Sequence, residues 1–126
     1  LPKDMDMNGR KSFPIKAMAD KPFVISAEGV DYDIHQVLKE TGIEPDIRFS
    51  SMDDHVVISM VANNLGISIL PNLVIGNARA QIQALPLDPG FSRELGIGIR
   101  SFSSLSPAAQ QFITFIQDQV STFEKA

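Results

Sequence analysis

The chain contains no cysteine, which removes disulfides, thiolate nucleophiles and thiolate metal sites from consideration. That absence fits a cytoplasmic protein, although periplasmic proteins also do without cysteine. Histidine is nearly as scarce. His35 and His55 each stand without a second His or Cys at ligand spacing, so no metal site is readable. Positive charge is in short supply too: 11 Lys and Arg against 15 Asp and Glu leave a net charge of -4. Such a chain has no overall field to draw in nucleic acid or an anionic membrane. No apolar run approaches the roughly 20 residues that a membrane helix needs, and the opening LPKDMDMNGRK is too polar for a signal peptide. Repeats and low-complexity tracts are also missing. Position 1 is Leu rather than Met, and the expectation is a piece of something longer.

What is present is the make-up of an ordinary globular domain: 126 residues, 44% hydrophobic and 21% charged, enough for one core. The best-specified stretch is Phe49 to Pro71, FSSMDDHVVISMVANNLGISILP. It reads as strand end, capped helix, glycine stop at Gly66, a continuously apolar strand from Ile67 to Leu70, and proline stop, which is a unit of an α/β sheet. Ser51 with Asp54 three residues on resembles a capping box, and Asp53 adds negative charge where the helix dipole favours it. Val57, Met60, Val61, Asn64 and Leu65 form one stripe; Val56 and Ile58 widen it, so the helix is expected to be covered on two sides.

Around this unit the remaining segments fall into order. Pro14 opens a short helix with Ile15, Met18 and Ala19, ended by Asp20 and Lys21, and Pro22 to Ser26 reads as a buried strand. Asp31 or Asp33 caps a helix carrying Tyr32, Ile34, Val37, Leu38 and Thr41, with Gly42 as its stop. Asp46 to Ser50 alternates as a strand with one buried face should. A short helix over 72 to 79 and a strand from Ile82 to Leu87 lead into Pro86-Leu87-Asp88-Pro89-Gly90, the clearest linker in the chain. Glu94 to Arg100 alternates again, with two glycines on one side that admit a close neighbour. Ser106 and Pro107 start a long amphipathic final helix with Phe112, Ile113, Phe115, Ile116, Val120 and Phe123.

These motifs, in this order, resemble the effector-binding domain of LysR-type transcriptional regulators. The resemblance rests on DKPFVIS at Asp20 to Ser26, DIRFSSM at Asp46 to Met52, and Met60-Val61-Ala62 followed by Gly66-Ile67-Ser68-Ile69-Leu70-Pro71. Arg93-Glu94-Leu95, then Leu105-Ser106-Pro107-Ala108-Ala109, continue it, and Leu1 to Asp4 looks like the family's segment crossing between lobes. The resemblance implies an α/β, periplasmic-binding-protein-like (type II) architecture, with one complete lobe plus the returning strand and C-terminal helix of the other. Residues 1–88 would be the second lobe with its crossing segments, and 89–126 would belong to the first. No helix-turn-helix with a basic recognition helix is found, so DNA would be a partner only through a winged helix-turn-helix domain absent from this chain. The implied function is effector sensing and oligomerisation in the cytoplasm, with no cofactor and no membrane.

Ligands of open α/β sheets collect at the C-terminal ends of strands. The expected effector contacts are therefore Ser26, Ala27, Glu28 and Gly29 after the first long strand, Ser50, Ser51 and Met52 after the second, and Leu70 and Pro71 after the third. Each has a plainer reading beside it. The first group is an ordinary connecting loop in which Glu28 and Asp31 disfavour a carboxylate ligand, Ser51 is an N-cap, and Leu70 is core. Met52 would form an adaptable apolar wall. Asp53, Asp54 and His55 are consecutive and cannot face one another as a relay on a helix, so no catalytic residue is assigned. The apolar stripe of the last helix predicts a homodimer, a swap, or docking of that helix on the second lobe. The alternatives are a lobe of a periplasmic solute-binding protein, which shares the architecture, and a small α/β hydrolase-like or transferase fragment.

Overall fold

The computed structural model describes residues 1–26, 32–94 and 96–123. The chain divides into two compact units, Leu1–Arg93 and Glu94–Ala126.

In the first unit, strand β1 (Phe13–Pro14) runs into a 3-10 turn (Ile15–Met18). Strand β2 (Pro22–Ser26) follows, then helix α1 (Tyr32–Thr41), strand β3 (Asp46–Ser51) and helix α2 (Asp54–Ala62). β2 and β3 are parallel, in register from Pro22↔Asp46 to Ser26↔Ser51, with one irregularity between Phe23 and Val24. Parallel strands require a crossover helix between them, which α1 supplies. On its other side β2 meets Ile67: the Val24 N–H donates to the Ile67 carbonyl at 2.8 Å and the Ile67 N–H to that of Pro22 at 2.9 Å.

The two-residue period of β2 sorts the core into two layers. Phe23 and Ile25 join Phe13, Ile15, Met18, Ile67 and the α1 residues Ile34 and Val37. Val24, between them, joins Val57, Ile58 and Val61 of α2 and Ile82. One helix thus packs on each side of the strands, the α/β arrangement the sequence predicts.

Several expectations need correction. Gly66 does not stop α2. That helix ends at Ala62 in a Schellman motif: Asn64 takes the left-handed conformation (φ 62°), its N–H donates to the Val61 carbonyl, and the Leu65 N–H donates to that of Met60. Gly66 is required for another reason. A Cβ there would lie 2.5 Å from the Pro22 carbonyl oxygen, so only glycine lets Ile67 reach β2. The strand expected from Ile67 to Leu70 shrinks to the bridge at Ile67, because the chain turns at Pro71 into the one-turn helix α3 (Asn72–Ile75) and a 3-10 segment (Gly76–Ala80). β3 lacks the buried face its alternation suggests: Ile47 and Phe49 are 39% and 41% exposed, and among the described residues the strand pairs with β2 alone. Of the expected strand from Ile82 to Leu87, Ile82 bridges Pro2, and Leu87 belongs to β4 (Leu87–Asp88), parallel to β1.

In the second unit, the stretch expected as a strand over Glu94–Arg100 forms no strand among the described residues, and Ile97 and Ile99 are exposed. Alternation prepares a face, but a strand exists only through a hydrogen-bonded neighbour. A 3-10 turn (Phe102–Ser104) precedes helix α4 (Pro107–Phe123). The Ala109 N–H donates to Ser106 Oγ at 3.3 Å, the cap expected from the Ser-Pro pair. Among the described residues, no helix is long and apolar enough to cross a membrane.

Candidate functional site

Parallel pairing carries β2 and β3 to a common rim, where Ser26 and Ser51 stand opposite each other and Ser50 opposite Ile25. Ser26 shares the Val24 face of its strand and so looks toward α2. Its side chain is buried, at 3% exposure, and a buried hydroxyl needs a partner. The partner is Asp54, whose Oδ1 accepts from Ser26 Oγ at 2.5 Å. The first turn of α2 is thereby tied to the end of β2.

The cap of α2 differs from the expected one. Asp53, with extended backbone (φ -105°, ψ 114°), is the N-cap residue, and its Oδ1 accepts from the His55 N–H at 2.8 Å. Ser51 stands one step outside: its Oγ accepts from the Asp53 N–H at 3.1 Å, holding the turn between strand and cap. A two-residue reach is the shortest loop a serine hydroxyl closes comfortably. It leaves Asp53, not Ser51, at the position where a side-chain oxygen serves a helical N–H. Asp54 then turns to Ser26 instead of completing the capping box.

The rim therefore joins Ser26, Ser51, Asp53 and Asp54. Ser50 and Met52 are exposed, Met52 at 73%, while Leu70 and Pro71 are half-buried, Leu70 against the Val24–Val57 layer. Ala27, Glu28 and Gly29, expected as contacts, lie outside the described residues. The residue that sequence reasoning missed is Asp54 as the partner of Ser26. The available signal was the strand period, which turns Ser26 to the same side as Val24 and hence toward α2. Chemically the rim is rich in acceptors, and the dipole of α2 is already met by its own carboxylates.

A separate, shallow depression of about 360 Å³ lies along the outer face of α2, lined by His55, Val56, Ser59, Met60, Asn63 and Leu65. His55 belongs to this surface, and its backbone N–H is what engages Asp53. Among the described residues, no group of three or more His, Asp or Glu side chains could hold a metal ion.

Several known proteins are similar to this chain. The solved structure of HinK, a LysR family transcriptional regulator from Pseudomonas aeruginosa, aligns with a TM-score of 0.49 and 22% identity, over 57% of this chain and 26% of that one. The uncharacterized HTH-type transcriptional regulator YybE of Bacillus subtilis (strain 168) is 27% identical over 119 residues, 92% of this chain and 40% of its own length. YoaU, another uncharacterized HTH-type transcriptional regulator of that organism, is 26% identical over 89 residues, 71% of this chain and 31% of its own. The chain thus spans well under half the length of these relatives. The LysR substrate binding domain family matches residues 1–121, and the chain belongs to that family, with its periplasmic-binding-protein-like α/β fold.

Proposed function

We propose that this chain is the effector-sensing and oligomerisation module of a LysR-type transcriptional regulator acting in the cytoplasm. A small molecule held between two lobes would bias DNA binding by a winged helix-turn-helix domain outside residues 1–126. The observation that carries this reading is the family match over residues 1–121. In it, residues 1–88 are the second lobe with its crossing segments, and 89–126 contribute the returning segment and last helix of the first. An effector that prefers one arrangement of lobes or protomers shifts the regulator by that preference alone.

The effector contacts proposed here are Ser26, Ser50, Ser51, Met52, Leu70 and Pro71. The reading is supported by the pairing of Ser26 with Ser51 at the strand ends and by the two carboxylates beside them. An acceptor-rich rim suits a ligand that presents a hydroxyl or ammonium group better than one that presents a carboxylate. Titrating the ¹⁵N-labelled chain with a set of small alcohols, amines and carboxylic acids tests this. Binders should move the amides of Ser26 and of Ser50 to Asp54, and hits gathered on any other surface would overturn the assignment.

For oligomerisation the proposed contact is the outer face of α2 with the neighbouring β3. Val56, Leu65, Ile47 and Phe49 are each about two-fifths exposed, and apolar surface left open to water favours association. Val56→Glu should shift the chain toward monomer in sedimentation velocity runs, and an unchanged association state would remove α2 from the interface.

A further inference from the structure

We propose that the segment from β4 to Arg93 is a strap clamped onto the first turn of α1, so that the segment leading out of the Leu1–Arg93 unit and the start of that helix are energetically linked. Three anchors define the strap. At its start, Leu87 and Asp88 pair with Phe13 and Pro14 of β1. In the middle, the half-buried Phe91 packs against the layer that contains Ile34 and Val37 of α1. At its end, Arg93 Nη1 donates to Asp33 Oδ2, across 60 positions of sequence.

The last anchor differs in kind from the other ion pair among the described residues. Arg48 and Asp46 are two positions apart on one strand, so their pairing constrains only β3. Arg93 and Asp33 join the last residue of the unit to a helix whose preceding strand ends at Ser26. Asp33 already sits where the α1 dipole favours a carboxylate, so Arg93 adds a tether without creating the charge. Both side chains are partly open to water, at 44% and 35% exposure, which makes the tether weak and sensitive to salt, as a releasable contact must be. If the rim takes the effector as proposed above, a ligand that shifts the first turn of α1 loosens the strap. Release of the strap alters ligand affinity by the same factor.

The link is testable on the ligand-free chain, so its outcome does not depend on the effector assignment. Amide hydrogen exchange is compared for wild type, Arg93→Gln and the charge-keeping Arg93→Lys. Because Arg93 is remote in sequence from α1, a change at Arg93 reaches α1 through the tertiary contacts of the strap. Arg93→Gln should speed exchange of the Gln36, Val37 and Leu38 amides roughly two- to fivefold, the range of an exposed ion pair, and Arg93→Lys should stay closer to wild type. About 0.5 M NaCl should produce the same acceleration in wild type and none in Arg93→Gln. Exchange that quickens around Phe91 to Glu94 while the α1 amides stay at the wild-type rate would overturn the strap. A ligand screen with no hits at the rim would sink the effector assignment and leave these exchange results standing.

Discussion

Val57, Ile58 and Val61 of α2 are 0%, 4% and 3% exposed, whereas Phe112 and Phe115 of α4 are 61% and 60% exposed. Both helices start at a well-made cap, Asp53 in one and Ser106 in the other, and both carry an apolar stripe. What separates them is the neighbourhood each unit provides. α2 packs on β2 and β3 and closes a layer with Val24 and Ile82. The unit that holds α4 has no strand among its described residues. Amphipathicity supplies a face, and only an opposing element turns that face into a core.

The contrast can be broken or sharpened by substitution. The largest effect is expected from Ile58→Ala, which should cost about 2–5 kcal/mol by urea unfolding, while Phe112→Ala should change the same midpoint by less than about 0.5 kcal/mol. Equal losses at the two positions would mean that α4 is as well packed as α2. Next comes Gly66→Ala, whose methyl must displace the Pro22 carbonyl. A loss of about 1–3 kcal/mol is expected, together with faster amide exchange at Val24 and Ile67; a wild-type midpoint would show that the close approach relaxes freely. Asp53→Ala should remove about 1 kcal/mol, with Ser51→Ala costing less, and the reverse order would return the cap to Ser51. Opposite in sign to the others is Ser68→Ala. Ser68 Oγ is buried with no partner among the described residues, so its removal should raise the melting temperature slightly, by the desolvation cost of roughly 1 kcal/mol that an unpaired hydroxyl carries.

Much of the first unit was legible because its signals are local. Pro22 to Ser26 is a β-forming run bounded by a proline, Gly42 adopts the positive φ its position after α1 requires, and Ser106-Pro107 opens α4. Apart from the two ends of α2, the misreadings concern partners. Ile47 and Phe49 alternate as inward residues would, yet both stay about two-fifths exposed, and Ile97 and Ile99 alternate with no strand beside them among the described residues. At the rim, the strand ends were readable from the order of strand and helix, which is why Ser26 and Ser51 were singled out. That Asp54 would leave its expected capping role for Ser26 follows from the crossing of α2 over β2, a relation between segments 28 positions apart.

By itself the sequence determined which segments carry the long helices, where prolines and glycines interrupt the chain, and that β2 is a buried strand. These depend on backbone sterics, capping and a period of two or 3.6 residues. Only the tertiary structure decided which of two plausible residues caps α2, and why glycine is needed at position 66. It alone decided which apolar stripes are buried and that Arg93 reaches Asp33. Each of those depends on what stands opposite, and a residue's opposite number is set by the packing of distant segments, for which a single sequence carries no local signal.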